Sequence, residues 1–270
     1  MQALSSLPTW YLYFLVAIFG AIFGSFLNVC IVRIPKGESI VTPRSKCFHT
    51  GKPLAWWENI PLVSYLLLRG KSRHNGMRIP LRYPLVELIS LLLALLTWHL
   101  AASPLHFLLY FCFFVAPLIA ITFIDLEHFI IPDVFSLPGI AAGIIITQIL
   151  SAPGTHFAQL ISSGLGILIG AGFLFLIAFL YEKIKKQEGL GGGDIKLAAM
   201  FGAFFGWKGV LFILLFSSII GSIVGIFIMI VQRKNMKLAL PFGPFLSAAA
   251  LFYLYFGREI LHWYLGFYVK

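Results

Sequence analysis

Two aspartates stand at the edges of long apolar segments. Asp125 ends one segment, within ITFIDLEHFIIPD, and Asp194 opens another, within GLGGGDIKLAAM. Ionisable groups at membrane depth are costly and usually mark function. Two partly desolvated carboxylates at one depth can share a proton, so that one activates water while the other polarises an amide carbonyl. The pair therefore has the residue types of an aspartic protease, although Asp194 could instead cap its helix.

Glycines immediately precede Asp194. Gly189, Gly191, Gly192 and Gly193 leave this backbone without side chains, so an extended peptide could approach Asp194 closely. A protease needs that access because a helical substrate hides its amides. Gly191 and Gly193 are therefore candidates for supporting the active site.

Three further polar residues have structural as well as functional interpretations. Asp133 follows a proline and opens an apolar run, which predicts a helix N-cap. Asp133 and Lys196 are also candidates for supporting the two aspartates. Glu87 lies one turn into its apolar segment, and we expect it to pair with Arg82.

Composition identifies the elements that must position these residues. Of 270 residues, 60 % are hydrophobic and only 11 % are charged, whereas soluble domains carry about 25 % charged residues. Because a spanning helix needs about 20 apolar residues, the chain is predicted to be an all-α polytopic membrane protein with about eight transmembrane helices. The predicted spans are Trp10–Val32, Tyr83–Ala102, Leu105–Ile124, Val134–Leu150, Phe157–Tyr181, Ile195–Gly206, Val210–Val231 and Pro241–Phe256. The sixth is short and could be a half-helix or one arm of a hairpin with the seventh.

Basic residues predict the orientation. Residues 33–82 hold ten Lys and Arg against two acids, so the positive-inside rule makes this loop cytoplasmic. Alternating spans then place 17 of the 20 basic residues inside, with both termini outside and both aspartates at the cytoplasmic face. The predicted organisation is a first helix at 1–32, a loop subdomain of short strands and turns at 33–82, and a core at 83–270.

Six motifs follow one another in a recognisable order. They are GAIFGSFLNVCIVRIPKGESIVTPRSKC at 20–47, WWENIPLVSYLLLRGKS from Trp56, RYPLVELIS from Arg82, IDLEHFIIPD, GGGDIKLAAM, and PFGPFLSAA from Pro241. In these motifs the chain resembles the bacterial type IV prepilin peptidases, which are aspartic proteases of the GxGD type. The resemblance implies that Asp125 and Asp194 are catalytic, with Gly191, Gly193 and Asp194 forming the GxGD signature.

The same resemblance implies a substrate, a cofactor and a location. Such enzymes remove a short basic leader from prepilins or secretion pseudopilins at the cytoplasmic side of the inner membrane. Many members also methylate the new N-terminus with S-adenosylmethionine. The sequence names neither the particular prepilin nor the oligomeric state.

The loop departs from the family pattern. Typical members carry two C-x-x-C pairs suited to structural zinc. Here the corresponding segments are Cys47-Phe48-His49-Thr50 and Ser72-Arg73-His74-Asn75. Three of the four thiols are missing, and although His49 and His74 could in principle join Cys47 as ligands, that set is incomplete. We therefore expect the loop to fold without metal. The other cysteines, Cys30 and Cys112, lie in apolar runs and give no disulfide framework.

The loop also suggests candidates for binding. Its net positive charge would repel a basic leader, so we expect the leader to contact one of the acids Glu38, Glu58 and Glu127 while the basic residues bind anionic lipid. Trp56 or Trp57 could stack on the adenine of the methyl donor, or anchor the loop at the membrane interface instead. The carboxylate of the methyl donor could meet Arg33 or Lys36.

Other functions fit the sequence less well. The net charge of +10 could suggest nucleic acid, but the basic residues lie between apolar runs, so we expect no nucleic-acid partner. A transporter or channel would hold its acids near the midplane, commonly within inverted repeats, and neither feature is found. A catalytically dead scaffold would not need both aspartates and the glycines.

Overall fold

The structure is a computed structural model that describes residues 7–44, 50–186, 190–232 and 240–268. Several residues used in the predictions lie outside this description. They are Cys47, His49, Gly189 and the basic residues Arg233, Lys234 and Lys237. The described chain forms two compact units, an amino-terminal unit of residues 1–120 and a carboxy-terminal unit of residues 121–270.

The described residues are almost entirely helical. The helices are α1 (Thr9–Arg33), α2 (Val63–Leu67), α3 (Arg82–Leu100), α4 (Pro104–His128), α5 (Asp133–Leu150), α6 (His156–Lys185), α7 (Gly192–Gln232) and α8 (Gly243–Tyr268). Six of them are long and apolar enough to cross a membrane, and Gly243–Gly257 is a shorter apolar segment. The prediction of an all-α polytopic membrane protein is therefore confirmed.

Small residues let α1 and α3 pack closely in the amino-terminal unit. A Cβ at Gly24 would lie 2.6 Å from the Cα of Glu87, and a Cβ at Gly20 would lie 2.9 Å from the Cα of Leu91. Ser90 Oγ donates a hydrogen bond of 2.7 Å to the carbonyl of Gly20. This Gly-x-x-x-Gly face brings two backbones together as helix pairs in membranes commonly do.

The loop between α1 and α3 differs from its prediction. Its described part contains two 3₁₀ turns, Ile34–Lys36 and Trp56–Asn59, followed by the short helix α2. An isolated antiparallel bridge joins Lys71 to Arg78. The expected strands are therefore wrong for the described residues, where single helical turns replace them.

The sixth and seventh predicted spans are the two arms of α7. Gly206 interrupts this helix with φ 68° and ψ −173°, a conformation that favours glycine. A Cβ at Gly170 of α6 would lie 2.6 Å from the carbonyl oxygen of Ala198 and 2.8 Å from Cγ2 of Val210. A straight helix would separate residues 198 and 210 by about 18 Å, so the chain doubles back as a helical hairpin. The first arm is the short one.

Candidate active site

Asp125 lies in the last turn of α4, and its side chain is fixed by the start of α8. The residue is 5 % exposed, and its Oδ2 accepts a hydrogen bond of 2.9 Å from the backbone N–H of Gly243. A Cβ at position 243 would lie 2.6 Å from the same oxygen. Only glycine therefore permits the first turn of α8 to approach the carboxylate this closely.

The segment after Asp125 turns sharply and returns to the site. Phe129 has φ 56° and its N–H donates to the carbonyl of Asp125 at 2.9 Å, which closes the end of α4. Two residues later, Ile131 packs against the start of α7 and the start of α8. A Cβ at Gly193 would lie 2.7 Å from the Cβ of Ile131, and one at Gly243 would lie 3.2 Å from its Cδ1. Ile131 is thus the apolar contact that joins the glycine turn of α7 to the start of α8.

Asp194 lies in the first turn of α7, directly after the glycines. It is 8 % exposed, and its backbone N–H donates to the carbonyl of Gly191 at 3.1 Å. Its Oδ1 is buried without a hydrogen-bond partner in the described structure. A Cβ at Gly191 would lie 3.4 Å from Oδ2. The glycine turn therefore lies close to one carboxylate oxygen, while the other is buried and accepts no hydrogen bond within the described residues.

The two aspartates form one site in the carboxy-terminal unit. Gly243 contacts Asp125, Gly193 precedes Asp194, and Ile131 packs against both glycines. The structure thus brings together two residues that lie 69 positions apart in sequence. Chemically, this pair can hold a water and a peptide carbonyl between an acceptor and a donor.

Asp133 and Lys196 link two helices beside the site. Lys196 Nζ lies 2.7 Å from Asp133 Oδ1 and 2.8 Å from its Oδ2. The pair joins the start of α5 to the first turn of α7, two residues after Asp194. The predicted N-cap role of Asp133 is wrong, since α5 begins at Asp133 itself after Pro132 and the carboxylate binds the lysine.

The remaining candidates lie in different environments. Glu38 and Glu127 are exposed, as is Trp56 at 81 %. The side chain of Glu58 is only 4 % exposed, and its Oε2 accepts from the N–H of Ala55 at 2.6 Å and lies 3.7 Å from His74 Nε2. These contacts hold the 3₁₀ turn that begins at Trp56.

Arg33 and Trp57 have partners inside the amino-terminal unit. Arg33 Nη1 donates to the carbonyl of Ser39 at 2.9 Å, and Nη2 donates to that of Pro43 at 2.7 Å. The guanidinium therefore holds the chain that follows α1. The guanidinium of Arg73 lies over the ring of Trp57, with 5.5 Å between the guanidinium carbon and the ring centre.

The predicted pairing of Glu87 with Arg82 is wrong. Glu87 Oε2 accepts a hydrogen bond of 2.8 Å from the backbone N–H of Leu62, 25 residues earlier in the chain. The guanidinium of Arg82 lies 5.0 Å from the ring centre of Tyr83. A contact across the loop replaces the contact along the helix.

No cluster of three or more metal-ligating side chains occurs in the described ranges. Cys47 and His49, two of the three conceivable loop ligands, lie outside those ranges. His74 is described, and its Nε2 faces Glu58. Cys30 and Cys112 are free thiols.

Family models match both units of the chain. One, described as the bacterial peptidase A24 N-terminal domain, matches residues 18–100. A second, described as the type IV leader peptidase family, matches residues 112–226, which include both aspartates. A protein of Xanthomonas campestris pv. campestris named prepilin leader peptidase/N-methyltransferase is 33 % identical, over 92 % of this chain and 92 % of its own length. The chain belongs to the type IV leader peptidase family.

Other members of this family with the same name are similarly close. The relative from Myxococcus xanthus is 39 % identical over 85 % of this chain and 68 % of its own length. The relative from Legionella pneumophila is 33 % identical over 96 % of each chain. No solved structure matches this chain.

Two residues of the site were not identified from sequence. Gly243 lies within PFGPFLSAA, which was assigned only to the last span, and Ile131 lies between two recognised acids. Pro241 and Pro244 flank the Phe-Gly pair and were the available signal. A proline disfavours helical backbone at the residue before it, which indicates a non-helical approach to the helix.

Proposed function

We propose that this chain is an aspartic endopeptidase that removes the basic leader from type IV prepilins or pseudopilins. The observation that carries the proposal is the buried pair of Asp125 and Asp194 beside a turn of glycines. In the described part of the chain, Oδ1 of Asp194 has no hydrogen-bond partner. The printed names of the relatives support prepilins as substrates. The glycines leave room for the extended cleavage segment of the peptide.

The contacts suggest a role for each aspartate. Oδ1 of Asp194 is available to accept a proton from water, while the N–H of Gly243 orients Asp125 so that its other oxygen can donate to the peptide carbonyl. The water oxygen then bonds to the carbonyl carbon, as one of its protons passes to Asp194 and the proton of Asp125 passes to the carbonyl oxygen. The C–N bond breaks as the proton on Asp194 moves to the leaving amine, and Asp125 recovers its proton from the hydroxyl that becomes the new carboxyl group.

We propose that the same chain then methylates the new N-terminal amine. The proposal is supported by the names of the relatives, which include N-methyltransferase as a second activity. S-adenosylmethionine is the proposed donor, and it would supply an electrophilic methyl group. Residues that could hold it must offer acceptors for its ammonium and a cation for its carboxylate.

We also propose that the protein lies in the bacterial inner membrane with the aspartates at the cytoplasmic side. The excess of basic residues in the alternate loops supports this orientation. Glu38 and Glu127 are the exposed acids that could contact the basic leader, whereas Glu58 is buried in its turn. The basic residues of the loop would bind anionic lipid.

Mass spectrometry of a purified prepilin tests both activities. Incubation with the purified chain and S-adenosylmethionine should give a product that has lost its leader and gained one methyl group. Loss of the leader alone would contradict the methyl transfer and keep the peptidase. An intact prepilin, beside an active relative as positive control, would favour a scaffold or transporter.

A further inference from the structure

A cavity of about 190 Å³ lies in the amino-terminal unit, between α1, α2, α3 and the loop that joins them. Pockets that enclose a whole drug-sized ligand have volumes of roughly 300–1,000 Å³. This cavity can therefore take one end of such a ligand while the rest lies at the opening. None of the roles assigned to Asp125 and Asp194 uses it.

The inner wall of the cavity presents hydrogen-bond acceptors. Asn28 of α1 is 3 % exposed, and its Nδ2 donates to the carbonyl of Tyr83 at 3.0 Å. Its Oδ1 is buried and has no hydrogen-bond partner among the residues that the structure describes. A buried acceptor without a hydrogen bond is unfavourable, and a bound donor would relieve that cost. Glu87 of α3 lies in the same wall, 9 % exposed, with Oε2 bound to the N–H of Leu62 and the side chain of Ser25 alongside. A carboxylate and an amide oxygen that line one cavity fit a bound ammonium group.

The opening presents a cation. Arg73 lines the cavity and is exposed, and in the described part of the chain its guanidinium lies over Trp57 without a carboxylate partner. Arg33 also lines the cavity, but its Nη1 and Nη2 already donate to backbone carbonyls. Arg73 is therefore the guanidinium that can bind an anion entering with the ammonium.

Acceptors inside and a guanidinium at the opening match an amino-acid zwitterion. We propose that this cavity binds the amino-acid end of S-adenosylmethionine, with its α-ammonium at Asn28 and Glu87 and its α-carboxylate at Arg73. The inference rests on the proposed methyl transfer and gives that activity a site of its own. A peptide N-terminus offers only the ammonium, so Arg73 distinguishes the two ligands.

Equilibrium dialysis of radiolabelled S-adenosylhomocysteine against the purified full chain measures binding without catalysis. Glu87→Gln should weaken binding about tenfold or more, because the charge is lost while an acceptor for Leu62 is kept. Glu182→Gln makes the same change at an exposed residue of α6 and should bind like the wild type. Equal binding by Glu87→Gln and wild type would overturn the inference and leave the proposed methyl transfer standing.

Arg73 provides a second test that does not depend on a buried side chain. Arg73→Gln should weaken binding about threefold, as expected for an exposed ion pair, and Arg69→Gln, an exposed neighbour outside the cavity, should not. If Glu87→Gln lowers the thermal unfolding midpoint, this comparison still decides the inference. Unaltered binding by Arg73→Gln would overturn the zwitterion assignment.

Competition identifies which end of the ligand binds. Free methionine should displace the labelled probe, because it carries the same zwitterion, whereas adenosine should displace it less. Displacement by a mature pilin peptide but not by methionine would overturn the inference in favour of a peptide site. A wild-type chain that binds no probe and adds no methyl group would overturn both this inference and the proposed methyl transfer.

Discussion

The two units build their polar sites in different ways. In the carboxy-terminal unit, Asp125 and Asp194 lie at helix ends, where glycine turns bring backbone close to the carboxylates. In the amino-terminal unit, Asn28 and Glu87 project from the sides of α1 and α3, and the connecting loop covers them. Helix ends offer free N–H groups and space for an extended peptide. Helix sides offer a more enclosed wall, suited to a small ligand.

The largest expected effect comes from neutralising either aspartate. Asp125→Asn or Asp194→Asn should each lower the rate of leader cleavage about 10³-fold or more, because a single carboxylate cannot serve both proton transfers. Cleavage is followed by mass spectrometry of a prepilin, with thermal unfolding to verify folding. The matched control is Asp133→Asn, which should keep most activity. Equal loss in all three variants would show that the pair is misassigned.

A smaller loss is expected when the glycine that contacts Asp125 is replaced. Gly243→Ala places a Cβ within 2.6 Å of Oδ2, so the carboxylate must move, and we expect kcat to fall about 10- to 100-fold. Gly172→Ala adds the same methyl group where no atom lies within 4 Å and should leave kcat unchanged. Full activity in Gly243→Ala would mean that the close approach of α8 is not needed for catalysis.

The amino-terminal unit should respond to a methyl group through its packing. In Gly24→Ala, the new Cβ would lie 2.6 Å from the Cα of Glu87. The helices α1 and α3 must then move apart, and this should destabilise the fold by about 1–3 kcal/mol. Probe binding should weaken with it, since the inner wall of the cavity is carried by both helices. Denaturant or thermal unfolding in detergent measures the first effect, and Gly164→Ala, with nothing within 4 Å, is the control. Equal stability of both variants would contradict the close packing.

The smallest effect is expected at the exposed ion pair beside Asp125 and Asp194. The side chains of Lys196 and Asp133 are 40 % and 54 % exposed, and such pairs contribute about 0–1 kcal/mol. Lys196→Met should therefore change cleavage by less than about fivefold. A double-mutant cycle with Asp133→Asn isolates the pair. Coupling above about 2 kcal/mol would mean that the pair positions Asp194 more strongly than its exposure suggests.

The sequence indicated which residues are candidates better than it indicated which groups those residues contact. Asp125 and Asp194 were identifiable because charges are rare in apolar segments, and a hairpin was one possibility for α7 because the sixth predicted span is short. The partner of Glu87 was wrong because the nearest cation in sequence was assumed, whereas the structure uses the N–H of Leu62. The loop strands were wrong because short segments without a repeat give little periodic signal.

The sequence by itself determined that the chain is helical, crosses a membrane and carries two acids suited to proteolysis, since apolar length and isolated charge are local properties. Only the tertiary structure decided that Gly243, 118 residues after Asp125, donates to its carboxylate. Only the tertiary structure also placed Asn28 and Glu87 along the wall of one cavity. The physical reason is that such contacts depend on how closely two backbones approach, and that distance is set by the packing of whole helices rather than by neighbouring residues.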